Sequence, residues 1–351
     1  MKRFSAGGMM FTTFNAETAN DLWGQLVETF QRGESQTQAS RYGNTQEILH
    51  AAISLSAPRQ RWMSSRLPAL NPAFAIAEVI WILSGRNDSA PINYFNSQYA
   101  KYAGCGQTYH GAYGHRLRKH KGIDQLDRAY RALQANPENR QVVLEVWDGA
   151  IDLPQDSGEP ADMDIPCNIV SLLKIRSGRL EWTQIIRSND MFLGLPHNLI
   201  QFTSLQEVVA GWLGIDVASY HQISDSLHVY EHDANSIQSV PAGTNEKNTD
   251  DLRLPKNESD RVFQELSSQM DLVTSSEASV DNLLKVAESS GLPTAYRNLL
   301  CVLCAEGARR RARIEIAEAI MRSCKNPLFV HMFDTWCQRI ATKHHREPQH
   351  K

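Results

Sequence analysis

Between Asn71 and Leu83 the sequence Asn-Pro-Ala-Phe-Ala-Ile-Ala-Glu-Val-Ile-Trp-Ile-Leu is apolar on nearly every side of a helix. Such a helix is expected to be buried all round rather than along one stripe, so the rest of the chain has to fold around it. Its one ionisable residue is Glu78. A carboxylate in that position is costly unless it is paired or put to use, which makes Glu78 a functional candidate.

With 351 residues the chain has material for one large core, or for one large and one small domain. A net charge of -3 gives no global attraction for nucleic acid or an anionic membrane, so neither is an expected partner and any anion site must be local. No apolar run approaches the ~20 residues needed to span a bilayer, and Met1-Lys2-Arg3 is not followed by a sustained apolar core; a cytoplasmic protein is expected. The six cysteines are too scattered for a disulfide framework. Cys301-x-x-Cys304 lacks a second pair at zinc-ribbon spacing, so both are read as small apolar residues in a helical core, and no metal is expected.

Hydrophobic spacing predicts helices over Thr18 to Arg32, Asp124 to Leu133 and Pro196 to Leu213, the last stopped by Gly214. Ser40 to Thr45 reads as a loop able to approach an anion, with Arg41 as its charge. Arg140 opens a strand running to Trp147. Ile169 to Ile175 and Arg179 to Ile185 form a hairpin around Ser177-Gly178, and His221 to Val229 is a further strand. From about Ser239 to Asp260 the composition turns to Pro, Gly, Asn, Asp, Lys and Thr, as in a linker or long surface loop, and Val262 to Ile340 is helical in pattern. The basic run Arg309 to Arg313 reads as a solvated helix face.

The chemistry concentrates between Asp164 and Tyr230. Pro166-Cys167-Asn168 offers a thiol at the start of a strand, and Arg187-Ser188-Asn189-Asp190 places a guanidinium at the end of the next one. A nearby guanidinium is expected to lower the thiol's pKa toward a usable thiolate fraction, which makes Cys167 the candidate nucleophile. Arginines are the expected donors for a phosphate.

These pieces, with Glu78-x-x-Trp81, Ala112-Tyr113-Gly114, Gly194-Leu195-Pro196-His197-Asn198 and His228-Val229-Tyr230, resemble in order and spacing thymidylate synthase and its nucleotide hydroxymethylase relatives, from about Asn20 to about Asp233. The resemblance implies an α/β class: a three-layer fold with a large twisted mixed sheet, to which an all-helical C-terminal extension is added here. The division expected is a catalytic domain over 1–240, a linker over 241–260 and the extension over 261–351. It implies one-carbon transfer from 5,10-methylenetetrahydrofolate to C5 of a pyrimidine nucleoside monophosphate, through a covalent bond between Cys167 and C6.

The resemblance also assigns roles. Cys167, Glu78, Tyr113 and Asn168 would be catalytic. Arg41, Arg187 and Ser188, with Arg140 donated by the second subunit of a homodimer, would hold the phosphate; Asp190 would touch the base and the folate. Asn198 would read the O4/N3 edge, with dUMP favoured and CMP or dCMP fitting a flipped amide. His228 and Tyr230 would bind the sugar hydroxyl, and Tyr99 and Tyr102 would face the folate. The sequence departs from the family where Tyr99 and Tyr102 replace tryptophans, Asn168 replaces a histidine, Gln141 replaces an arginine, Ser226 replaces an aspartate, and His344 to Lys351 replaces the closing apolar tail. Those at the folate and water side favour capture of the exocyclic methylene by water, giving hydroxymethyl, over its reduction to methyl as in thymidylate synthase. A regulatory protein that keeps the nucleotide pocket without catalysis is the remaining alternative.

Overall fold

A computed structural model describes residues 11–234, 236–239 and 246–346. The readings made on Met1-Lys2-Arg3 and on the last five residues fall outside them. The strands are β1 (Thr12–Ala16), β2 (Gln36–Ser40), β3 (Gly43–Leu55), β4 (Arg66–Leu67), β5 (Val143–Glu145), β6 (Asn168–Arg176), β7 (Arg179–Asp190), β8 (Asp216–Tyr230) and β9 (Gln238–Ser239). The helices are α1 (Ala19–Gln31), α2 (Pro72–Leu83), α3 (Ser89–Phe95), α4 (Ala100–Ala103), α5 (Tyr113–His115), α6 (Gln125–Ala135), α7 (Gly149–Asp152), α8 (Leu195–Leu213), α9 (Glu231–Ala234), α10 (Lys256–Thr274), α11 (Val280–Ser289), α12 (Thr294–Arg310), α13 (Ile314–Ser323) and α14 (Pro327–Arg346).

A seven-stranded mixed sheet runs β1-β3-β8-β7-β6-β5, with β2 folded back on β3. The β1/β3 and β7/β8 pairs are parallel and the others antiparallel. The sheet buries one face, where Leu173, Trp182, Ile186 and Tyr220 alternate with buried Ser171, Gln184, Gln222 and Ser224. Helix α8 lies on this face, α2 packs behind α8, and α10, α12 and α14 pack behind α2. The all-apolar sequence of α2 thus has its physical reason, since all of its residues are buried. The mixed α/β architecture with a large sheet and C-terminal helices is the one expected.

Helix boundaries follow local chemistry. Thr18 and Asp21 close a capping box on α1, Asn71 caps α2 with Pro72 at its first position, and Gly214 ends α8 in the left-handed conformation. Ser40 to Thr45 is tighter than the loop expected, because β2 and β3 form a hairpin whose tip is Arg41-Tyr42.

The described part of the expected linker is not a surface loop. Residues 246–255 form an irregular strap with Asn248, Asp250 and Leu252 buried, and α10 already starts at Lys256. Buried Glu207 on α8 receives Arg59 at 3.1 Å, Arg61 at hydrogen-bond distance and the Leu252 N–H at 3.0 Å. Gly211 lets the strap lie directly on α8, since a Cβ there would stand 2.5 Å from the Arg253 Cα. The polar composition read as solvation reflects buried hydrogen bonding instead.

The basic run is a solvated face only in part, since Arg310 and Arg313 are exposed while Arg309 and Arg311 are half-buried. Arg309 and Arg310 both pair with fully buried Glu306, Arg310 also donates to the Phe95 carbonyl, and Arg311 donates to the Tyr94 hydroxyl and to carbonyls of Val273 and Ser275. These arginines join α12 to α3 and to the end of α10. Cys301 and Cys304 are fully buried in α12, as small apolar residues would be.

Candidate active site

Cys167 immediately precedes β6, and its carbonyl accepts the Arg187 N–H at 2.9 Å, tying the candidate nucleophile's segment to β7. The Arg187 guanidinium folds back on the same segment, donating to the Pro166 carbonyl at 3.0 Å and the Ile165 carbonyl at 3.2 Å, and stacks 5.4 Å from the Trp147 ring centre. It still has N–H groups to spare for an anion. Burial pushes the Cys167 thiol above its ordinary value, and Arg187 and Arg41 offset this only in part while Asp164 and Asp190 push it further. The expected depression of this thiol is therefore not found, because desolvation outweighs the guanidiniums. The residue as a whole remains partly accessible.

Helices α2 and α5 bring two further candidates alongside. Gly114 allows α5 to touch the backbone of α2, where a Cβ would meet the Ile82 carbonyl at 2.5 Å. Tyr113 then lies near Cys167, Asp164 and Glu78 and hydrogen-bonds Asn168; burial drives its phenol well above the ordinary range. Asp164 accepts the Gly111 N–H at 2.7 Å, and burial pushes its carboxyl up to about 6. Arg116 serves the scaffold, paired through both nitrogens with buried Asp152.

Glu78 meets His197 of α8, with Oε2 2.7 Å from Nδ1. The two atoms are close but not aligned for a hydrogen bond, and neither has another partner among the described residues. His197 also packs its ring edge-on against Phe74 at 4.8 Å.

Asn168 is fully buried and donates to Asn198 Oδ1 at 3.1 Å, while Asn198 donates to Asn189 Oδ1 at 3.1 Å. Asp190 at the end of β7 accepts the N–H groups of Phe192 and Leu193 at 2.7 and 3.0 Å, and burial raises its carboxyl. Ser188 lies beside Ser226 in register. His228 Nδ1 is 3.4 Å from the Ser226 hydroxyl, which donates to Glu47 at 2.5 Å. Glu47 thus supplies the carboxylate behind this histidine, and Asp225 turns instead to His50 at 2.9 Å. Tyr230 hydrogen-bonds Ser40 and lies near Asp190, Tyr42 and Tyr102.

Tyr102 is 44% exposed, with its ring centre 5.9 Å from that of Tyr42 and Asp190 close enough to raise its phenol after burial does. Tyr99 stands behind it between Phe74 and Tyr109, at 6.0 and 5.1 Å. Arg41 is exposed at the hairpin tip, over the Tyr42 ring at 4.6 Å. Arg140 is exposed ahead of β5 and has no partner among the described residues. The fold therefore brings Arg41, Arg187, Asp190 and Tyr113 about Cys167, ties His228, Tyr230 and Tyr102 to Asp190, and leaves Arg140 apart.

Two residues of this site were not singled out by the motifs. His197 lies inside a quoted segment, where a histidine between Pro196 and Asn198 in an apolar helix was the available signal. Glu47 reaches Ser226 across the β3/β8 pair and carries no local signal.

Comparison with known proteins agrees with this geometry. The sequence model of the family described as Thymidylate synthase matches residues 30–274, taking in α10 and stopping before α11. The chain is similar to the deoxyuridylate hydroxymethyltransferase of Bacillus phage SP01, 32% identical over 232 residues, which cover 63% of this chain and 59% of that protein. It is similar to the enzyme of the same name from Pseudomonas phage M6, 37% identical over 169 residues, covering 48% and 47%. A Methanosarcina barkeri protein provisionally named a thymidylate synthase is 32% identical over 152 residues, covering 42% of this chain and 67% of that protein. The chain thus spans about half to three fifths of the length of the two phage enzymes. With a family model that takes in most of its length, and with Cys167, Glu78 and Tyr113 grouped about Asp164 and Asn168, the chain belongs to the thymidylate synthase family.

Proposed function

We propose that this chain transfers a one-carbon unit from 5,10-methylenetetrahydrofolate to C5 of a pyrimidine nucleoside monophosphate, dUMP being favoured, and that water completes the reaction to give a hydroxymethyl product. The observation that carries the one-carbon transfer is the convergence of Cys167, Tyr113, Asp164 and Arg187 where β6 begins beside the C-terminal half of β7. C5 of the base is a poor nucleophile until the Cys167 sulfur adds to C6, which turns C5 into an enolate-type carbon. Folate, when bound, supplies the electrophilic methylene. Tyr102, open beside Asp190 with Tyr42 across from it, fits a flat heterocycle of that kind.

Arg187, Arg41 and Ser188 are assigned to the phosphate, each arginine contributing a charge-assisted bond on the order of 1.5 to 3 kcal/mol. His228 and Tyr230 are assigned to the sugar, and Asn198 to the N3/O4 edge. Support for water capture comes from the polar pair beside Tyr113, where Glu78 and His197 each leave an unmet polar atom, and from the names of the two phage relatives.

A homodimer completes the site in this reading. Val170, Ile185, Ile223 and Ala52 are in register across four strands on the sheet face away from α8, and all are half-buried. A second copy packed on that row would cover it and bring in Arg140, which has no partner among the described residues of its own subunit. Sedimentation equilibrium giving a monomer mass would remove this part of the proposal.

The test of function is incubation with methylenetetrahydrofolate and dUMP, UMP, dCMP or CMP, with products weighed by mass spectrometry and dihydrofolate followed by absorbance. The expected result is hydroxymethylated dUMP without dihydrofolate. Dihydrofolate formed in step with a methylated product makes the chain a thymidylate synthase. No product from any nucleotide, together with an unchanged biological role for Cys167→Ala, supports the regulatory alternative.

A further inference from the structure

A row of buried amides runs beneath α8, and its direction bears on base selection. Ser171 Oγ and Trp182 Nε1 both donate to Gln184 Oε1, at 2.5 and 3.3 Å. Gln184 Nε2 donates to Asn168 Oδ1 at 3.0 Å, Asn168 to Asn198 at 3.1 Å, Asn198 to Asn189 at 3.1 Å and Asn189 to the Ser224 hydroxyl at 3.0 Å. Gln222 also donates to Ser224 at 3.3 Å. Every member of the row is buried.

Amides can be turned over and hydroxyls can donate or accept, so most of this row would work in either sense. The Trp182 indole is the exception: its N–H only donates. Turning Asn198 over sets its Nδ2 against Asn168 Nδ2 and its Oδ1 against Asn189 Oδ1. Relief requires turning Asn189, Asn168 and finally Gln184, whose Nε2 then faces the indole N–H. The row ends with two buried donors opposed and the indole unpaired, which a dry interior penalises.

Asn198 has one N–H and one lone pair left over after its bonds within the row. Uracil presents a donor at N3 and an acceptor at O4, and cytosine presents the reverse order, so a locked amide serves one and a turned amide the other. We propose that Trp182, acting through Gln184 and Asn168, is a positioning residue that locks the Asn198 amide in the sense suited to uracil and so excludes cytosine nucleotides. The inference rests on the pyrimidine-nucleotide reading given above.

Trp182→Phe removes the N–H and keeps a ring in the core; Gln184→Met cuts the row one step later and serves where the first variant does not fold. Dissociation constants for dUMP and dCMP are measured by calorimetry on folded protein. Wild type is expected to prefer dUMP, and in either variant the ratio of the dCMP constant to the dUMP constant is expected to fall about tenfold, equivalent to ~1.4 kcal/mol. A purely structural role would weaken both nucleotides alike and leave the ratio unmoved. An unmoved ratio in folded variants, or a wild-type preference for dCMP, overturns the inference. Wild type that binds neither nucleotide overturns the nucleotide reading itself.

Discussion

His197 Nδ1 and Glu78 Oε2 stand 2.7 Å apart inside the protein, and neither atom has an aligned partner among the described residues. At this spacing no water fits between them, and a small turn of either side chain aligns the pair to share a proton, as a proton-handling pair would. His197→Phe preserves contact with Phe74 and removes the imidazole. Nucleotide affinity is expected to stay the same, and hydroxymethyl product formation to fall roughly a hundredfold, the scale of a lost proton-handling group. Product analysis alongside a binding titration checks this. An unchanged turnover would show that the histidine only fills space.

Asp164 gives the protein a pH signature. Its carboxyl is pushed up to about 6 in the fold, chiefly by burial, against about 3.9 in an unfolded chain. The folded state therefore holds this proton more tightly. The resulting stability is fully present below about pH 4 and is lost as pH rises through about 6, up to about 3 kcal/mol in all. Urea titrations of wild type and Asp164→Asn across that window should diverge, with the variant gaining relative stability as pH rises. The same substitution removes a charge that raises the Cys167 thiol, so alkylation of Cys167 should shift to lower pH. Superimposable alkylation profiles would contradict the placement of Asp164 beside the sulfur.

Much of this site was legible because its residues lie in regular elements with a clear period. Helix α2 announces its burial in composition, and Glu78 stands out against it. The β6/β7 hairpin is signalled by β-rich runs around Ser177-Gly178, and α8 by its spacing and its glycine stop. Long-range pairing was not legible. Strand β3 mixes alanine with polar residues and carries no strong β signature, although it is central to the sheet. Trp182 and Gln184, and likewise Gln222 and Ser224, alternate as strand residues should; that their polar groups face inward depends on which face α8 covers. Arg309 and Arg310 follow Glu306 by three and four residues, a spacing visible in sequence, but the burial that makes Glu306 need both arginines comes from tertiary packing.

Besides the packing of α10, α12 and α14 on α2, a few buried hydrogen bonds tie the C-terminal helices to α8. Asn326, fully buried at the start of α14, donates to Asn248 Oδ1 at 2.8 Å and to Asp250 Oδ2 at 2.9 Å. Asn298 of α12 donates to the other oxygen of Asp250 at 2.7 Å, and the strap they hold carries the Leu252 N–H to Glu207 on α8. Asn326→Ala removes both donors and leaves a buried carboxylate and a buried amide oxygen short of partners, at a cost of roughly 2 to 4 kcal/mol. Because the strap touches α8, α12 and α14 at once, the loss should lower one common unfolding transition rather than release the helices separately. Urea denaturation followed by far-ultraviolet circular dichroism and by tryptophan fluorescence distinguishes the two outcomes: coincident curves at a lower midpoint are expected, and an early loss of helical signal ahead of the fluorescence change would mean that the strap does not couple the two parts.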